Sequence, residues 1–263
     1  MTCRATTKAM TPPVSFPDQE PREAHCQEHG PYLARKLPSG NVWSSCPECM
    51  DREQGECRRR ENEALAKVRF EQRKREAGIP QRFLTASLET FLAQGEDSGN
   101  VLEGVRRYAK NFTEHRAAGR CLTFIGPPGT GKTHMGCSVL AHVLQAGGTG
   151  RYARAFGLVQ AIKESWGGQE SGVSEAQAMK VFTKPDLLVL DEVGIQYGSD
   201  VEKIILFQIL DERYAEMRPT IVISNFNRDR LEAVLGPRIM DRLAENGGKV
   251  LPFNWPSYRR GDK

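Results

Sequence analysis

A chain of 263 residues, 39% of them apolar, has material for one medium domain with a sizeable core and a small appendage, and its formal charge of +4 permits contact with nucleic acid without demanding it. No apolar run approaches the roughly 20 residues of a membrane span, and the N-terminus MTCRATTKAMTPPVSF lacks the apolar stretch of a secretory signal, so the expectation is a cytoplasmic protein with no membrane partner. Seven cysteines, an odd count, argue against a disulfide scaffold and direct attention to their spacing.

Residues 1–20, rich in Thr, Pro and Lys with little to bury, read as a flexible tail. Residues 21–57 form a small module whose stretch CQEHGPYLARKLPSGNVWSSCPEC places Cys26-x-x-His29 before a Gly- and Pro-containing span and then Cys46-x-x-Cys49. Two knuckles of this spacing predict a four-coordinate structural zinc site, in which the metal supplies the folding energy that so short a segment cannot obtain from burial. Cys57 and His25 are alternative donors, and Cys3 lies in the tail. Modules of this kind bind DNA, RNA or protein; Tyr32, Arg35, Lys36 and Trp43 either form a stacking and phosphate-binding surface or cover the metal core. Residues 58–77, dense in Arg, Glu and Lys, predict an exposed connector or docking helix ending near Gly78 and Pro80.

The pattern changes over residues 78–260. Apolar strands alternate with helices: CLTFIG and a long helix, YARAFG and a helix, DLLVLDEVG, a helix through EKIILFQILDERYAEM, then TIVISN. Continuous apolar runs separated by helices predict an α/β domain with a parallel sheet covered on both faces. GGQESGVSEAQ reads as a polar loop, and Cys121 and Cys137 as core residues on a strand and a helix.

GPPGTGKT follows the apolar strand Cys121 to Ile125 and opens a helix, fitting the P-loop pattern. Its nucleotide-binding residues are Gly126, Pro127, Pro128, Gly129, Thr130, Gly131, Lys132, Thr133 and His134. The glycines let successive N–H groups point at phosphate and the helix N-terminus adds a favourable dipole. Lys132 would reach the β and γ phosphates of ATP, and the Thr133 hydroxyl would ligate magnesium. PDLLVLDEVG places Asp191 and Glu192 at the C-terminal edge of a buried strand, where α/β ligands bind. Asp191 would hold the magnesium shell and Glu192 would polarise an attacking water, which favours a hydrolase over a small-molecule kinase. Asn225, ending TIVISN at the equivalent edge, could hydrogen-bond the γ phosphate or the water, or simply form a turn.

P-loop, LDE, SN and then PRIMDRL, in this order, resemble an AAA+ ATPase and more narrowly the DnaC-type replicative helicase loaders and their IstB relatives. The lead-in AGIPQRFLTASLETF at 77–91 and the closing FNWPSYR at 253–259 look like the same domain, so the resemblance covers roughly residues 77–260. It implies a P-loop AAA+ core and self-association, with the active site shared between protomers. It also makes Arg242 the candidate arginine finger, with Arg238 a supporting phosphate or interface contact. A guanidinium supplied in trans stabilises charge spread over the γ oxygens. Only about twenty residues follow Arg242, too few for a full helical lid domain; loaders of this type also lack one.

The resemblance further implies that the N-terminal region engages a replicative DnaB-type ring helicase while the ATPase binds single-stranded DNA. Arg151, Arg154, Phe156, Lys163 and Trp166, which combine charge with aromatic faces, are the expected DNA contacts. Three alternatives stand beside the loader: a transposition helper ATPase of the IstB type assembling on duplex DNA, a P-loop small-molecule kinase with zinc merely structural, and a zinc-dependent nucleic-acid adaptor that binds ATP without meaningful hydrolysis.

Overall fold

The computed structural model describes residues 20–37, 42–167, 174–194 and 200–260. The tail reading for residues 1–19 and most of the GGQESGVSEAQ loop lie outside the described residues. The chain divides into two compact units, residues 1–69 and 70–263.

The first unit opens with an antiparallel hairpin, β1 (Arg22–Cys26) and β2 (Gly30–Ala34), in register from Arg22 opposite Ala34 to Cys26 opposite Gly30. Gly30 takes the positive φ of 79° that the reversal needs. An isolated bridge pairs Lys36 with Trp43, and the Ser44 hydroxyl accepts from the Arg35 N–H at 2.9 Å. Helix α1 (Pro47–Glu76) follows. It starts at Pro47, ahead of the expected start near 58. Proline suits a first helical position, where its missing N–H has no intrahelical role, and Gly55 is absorbed at a cost of about 1 kcal/mol. Cys49 therefore sits in the helix's first turn.

In the second unit five parallel strands lie in the order β4 (Gly150–Arg154), β5 (Leu187–Asp191), β6 (Thr220–Ser224), β3 (Leu122–Ile125), β7 (Lys249–Pro252). Every residue of β5 and β6 is buried, as expected for strands covered on both faces. Alternation sorts their side chains. Leu187, Val189, Ile221 and Ile223 meet α2 (Glu96–Lys110) and α4 (Lys132–Gln145) in one core. Leu188, Leu190 and Val222 face the other, built with α5 (Ala155–Ser165), α6 (Glu175–Thr183), α7 (Asp200–Ala215), α8 (Arg228–Leu235) and α9 (Pro237–Ala244). Short α3 (Phe112–Ala117) leads into β3. Cys121 and Cys137 are buried in these cores.

One fully buried cation shapes the second core. The Arg213 guanidinium, 1% exposed, donates to the carbonyls of Phe182, Thr183, Pro185 and Pro219 and to the Thr220 hydroxyl, which ties the ends of α6, α7 and β6 together. Among the described residues no helix is long and apolar enough to cross a membrane.

Candidate nucleotide and metal sites

The P-loop runs from the end of β3 to the start of α4, and two close approaches explain its glycines. At Gly126, φ 134°, a Cβ would lie 2.5 Å from the Phe253 carbonyl oxygen; at Gly131, φ 88°, it would lie 2.6 Å from the Phe91 ring. The segment after β7 therefore closes over the loop from behind: Phe253 N–H donates to Ile125 O at 2.7 Å, the Trp255 indole to Thr130 O at 3.0 Å, and Tyr258 N–H to Gly129 O at 2.9 Å.

Lys132 is buried, with its ammonium donating to Gly126 O at 2.7 Å and Pro127 O at 2.6 Å. Burial lowers its pKa to about 8, opposed by the Asp191 carboxylate and assisted by the Arg259 charge. Asp191 is 4% exposed and fully engaged: Oδ2 accepts from the Thr133 hydroxyl and the Tyr152 hydroxyl, each at 2.8 Å, and Oδ1 accepts from the Glu192 N–H at 2.8 Å. Burial, then the Asp191 charge, pushes the Tyr152 phenol well up, so it remains a donor. Glu192 holds a left-handed φ of 59° just past the strand and pairs with Arg154 at 3.6 Å.

These groups open on a cleft of about 690 Å³ lined by Pro128, Gly129, Gly131, Lys132, Thr133, His134, Asp191, Glu192 and Asn225. Its remaining wall is Arg82, Phe83, Thr90, Phe91, Leu92, Tyr258 and Arg259, which sequence reasoning did not single out. Phe91 packs edge-on to Tyr258 at 5.5 Å and to His134 at 5.7 Å, giving the cleft an aromatic wall. Of the residues expected at the nucleotide, Gly126, Pro127 and Thr130 stand behind the lining. His134 Nε2 lies 2.9 Å from Ser87 O and 3.3 Å from Thr90 Oγ1, which joins the P-loop helix to the lead-in turn. A carboxylate beside a helix-start hydroxyl is a donor set suited to magnesium, an oxygen-seeking cation.

Arg238 and Arg242 do not line this cleft. Both lie on α9, whose apolar face buries Ile239, Met240 and Leu243. Arg242 pairs with Asp211 and stacks 4.6 Å from the Tyr214 ring centre, its side chain 18% exposed; Arg238 lies 3.9 Å from Asp211 and is 68% exposed.

On the surface read as a DNA contact, Phe156 and Trp166 are exposed and Arg154 carries the Glu192 pair. Arg151 donates to Glu76 O and lies over the Phe182 ring, and Lys163 pairs with Glu202, so both have structural engagements.

In the first unit Cys26, His29, Cys46 and Cys49 come together with all four ligand atoms within 4.8 Å of one another. Sγ of Cys26 and Cys49 are 3.6 Å apart, and His29 Nδ1 lies 3.6, 3.7 and 3.3 Å from the sulfurs of Cys26, Cys46 and Cys49. Tetrahedral zinc with bonds of about 2.3 Å to sulfur and 2.0 Å to nitrogen requires edges of roughly 3.5–3.8 Å, so the donor set fits that ion. The backbone N–H groups of Glu28 and His29 draw the Cys26 thiol down to about 6, and the neighbouring Cys26 sulfur pushes Cys49 up to about 11, a repulsion that a shared cation relieves. His29 Nε2 lies 3.5 Å from a Glu48 carboxylate oxygen, the partner that orients a metal-bound imidazole. The cluster takes neither Cys57 nor His25.

The chain matches the family described as IstB-like ATP binding protein over residues 57–263. It is 34% identical over 200 residues to the replicative helicase loader DnaC of Escherichia coli strain K12, covering 76% of this chain and 78% of that protein. The corresponding loader of Buchnera aphidicola subsp. Baizongia pistaciae is 31% identical over 201 residues, covering 76% and 79%. A crystal structure of the DnaC helicase loader matches with a TM-score of 0.58 and 25% identity over 66% of this chain and 99% of that one. The Cys–His cluster precedes the matched family segment.

Proposed function

The chain belongs to the family of the IstB-like ATP-binding proteins and the DnaC replicative helicase loaders, and from that membership we propose that it delivers a replicative ring helicase of the DnaB type onto single-stranded DNA, with ATP hydrolysis at protomer interfaces driving its release. The observation that carries this reading is the meeting of Lys132, Thr133, Asp191, Glu192 and Asn225 at one cleft of a chain 34% identical to DnaC.

In the proposed cycle Lys132 exchanges its loop carbonyls for the β and γ phosphates, and the P-loop N–H groups cradle them. Thr133 and Asp191 hold magnesium, which when bound neutralises charge developing on the phosphate oxygens. Glu192 turns from Arg154 to orient the water, and Asn225 holds the water or the γ phosphate from the end of β6. Arg242 serves the neighbouring protomer as the finger, with Asp211 and Tyr214 setting its orientation, and the more exposed Arg238 supports it. Phe156, Trp166 and Arg154 form the single-strand contact, and the zinc-held module, with α1 as connector, docks on the helicase.

Helicase loading onto a circular single strand, scored by unwinding of an annealed oligonucleotide, tests the reading: loading that requires ATP and this protein supports it, and loading indifferent to either refutes it. Full retention of helicase by a truncation lacking residues 1–69 would remove the docking role from the module. The family match to IstB favours one second reading, a transposition helper that assembles on duplex DNA. Strong preference for duplex over single strands in a binding titration would select it.

A further inference from the structure

The proposed cycle gives no role to a buried hydroxyl that touches Asp191. Tyr152, 6% exposed, sits on β4 in register with Val189 of β5, two residues before Asp191 and on the same face of the sheet. That register places its hydroxyl against Asp191 Oδ2 at 2.8 Å. The same oxygen accepts from Thr133 Oγ1 at 2.8 Å. The tyrosine is itself fixed, because its backbone N–H donates to Ala77 O at 2.7 Å, pinning β4 to the segment that follows α1.

Two donors on one carboxylate oxygen have different fates when a cation is held between Thr133 and Asp191. The Thr133 oxygen must then also turn a lone pair towards the ion, so the ion as well as Asp191 governs where that hydroxyl sits. The Tyr152 hydroxyl, which is also in hydrogen-bond contact with the Arg154 guanidinium, is not a ligand of that ion and keeps its proton on Asp191. We propose that Tyr152 is the positioning residue of the magnesium site: it holds the Asp191 carboxylate in place with and without the ion and thereby sets the metal affinity of the nucleotide cleft. The inference rests on the reading of this cleft as a magnesium–nucleotide site.

The test uses the full-length chain and Tyr152→Phe, which keeps the ring and removes only the hydroxyl. Binding of a fluorescent ATP analogue is titrated with magnesium chloride, and again in EDTA. The expected result is a half-saturating magnesium concentration raised about tenfold or more, the usual effect of losing a partner to a metal ligand, with binding in EDTA unchanged. A magnesium midpoint within twofold of wild type overturns the inference, including when the variant melts at a lower temperature, since a merely structural tyrosine would produce that pair of results. If the wild-type chain binds the analogue with no response to magnesium, the reading of the cleft falls and the inference with it; a magnesium response in wild type that the variant shares removes the inference alone.

Discussion

Ala34 and Cys46 are the buried residues among those described in the first unit, whereas the second closes two apolar cores over both faces of a five-stranded sheet. If a metal is held there, the first unit rests on four side chains that converge within 4.8 Å, whereas the second rests on packing spread over two cores. The difference is one of where the folding free energy resides. Metal coordination concentrates it in four ligands; packing spreads it in proportion to buried area.

That contrast breaks most visibly on chelation. Zinc binding in small modules carries on the order of 10 kcal/mol of folding free energy, so a strong chelator or Cys49→Ser should abolish the amide dispersion of residues 20–37 and 42–46 in an NMR spectrum. Nucleotide binding by the second unit should persist. Retained dispersion in the metal-free protein would show that the hairpin folds without its ligands.

Within the sheet unit the counterpart is Arg213, a fully buried residue on which five polar partners converge. Arg213→Met removes the guanidinium donor from the carbonyls of Phe182, Thr183, Pro185 and Pro219, the last of which keeps the Leu188 N–H. It should lower unfolding free energy in urea by about 3 kcal/mol, leaving the metal module's spectrum unchanged. A loss below about 0.5 kcal/mol would mean that spread packing dominates here too.

A smaller effect sharpens the account of the nucleotide site. Lys132 titrates near 8 in the free protein because burial disfavours its charge, yet it must be charged to pair with phosphate. Below pH 8 the ammonium is already present. Above it, binding must take up a proton, so ATP affinity should fall by up to about tenfold per pH unit between 8 and 10. The linked sign for folding is the reverse: a lowered lysine pKa disfavours the folded state at neutral pH, and that cost fades as pH rises through 8 towards 10.5. Calorimetry in buffers of different ionisation enthalpy reads the proton uptake directly, and an affinity flat to pH 9.5 would refute the assignment.

The features legible in the sequence are those whose residues are close in the chain. Cys26-x-x-His29 and Cys46-x-x-Cys49 are local knuckles, GPPGTGKT is a local loop, and LLVLDE is a strand with its acidic end. Tyr152, Phe91, Trp255 and Tyr258 were not legible as site residues because their partners lie 39 to 166 positions away. The glycines carried a faint signal: Gly131 and Gly126 exclude a Cβ because Phe91 and Phe253 occupy that space, but the sequence does not say which residues do so. Strand β7 is four residues long and ends in proline, too short for periodicity to reveal. Helix α1 begins earlier than its composition suggests, and its first turn carries Cys49 of the Cys–His cluster.

The measurement that bears most directly on the central claim is ATPase activity, with and without single-stranded DNA, of wild type, Glu192→Gln, Arg242→Ala and an equimolar mixture of the two variants, with Arg238→Ala alongside. The account predicts that each of the first two variants is inactive alone, that mixing restores activity by pairing an intact Glu192 with an intact Arg242 across an interface, and that Arg238→Ala is impaired less severely. Wild-type turnover by Arg242→Ala would contradict it, leaving that arginine a helix-face partner of Asp211 and the nucleotide site complete within one chain.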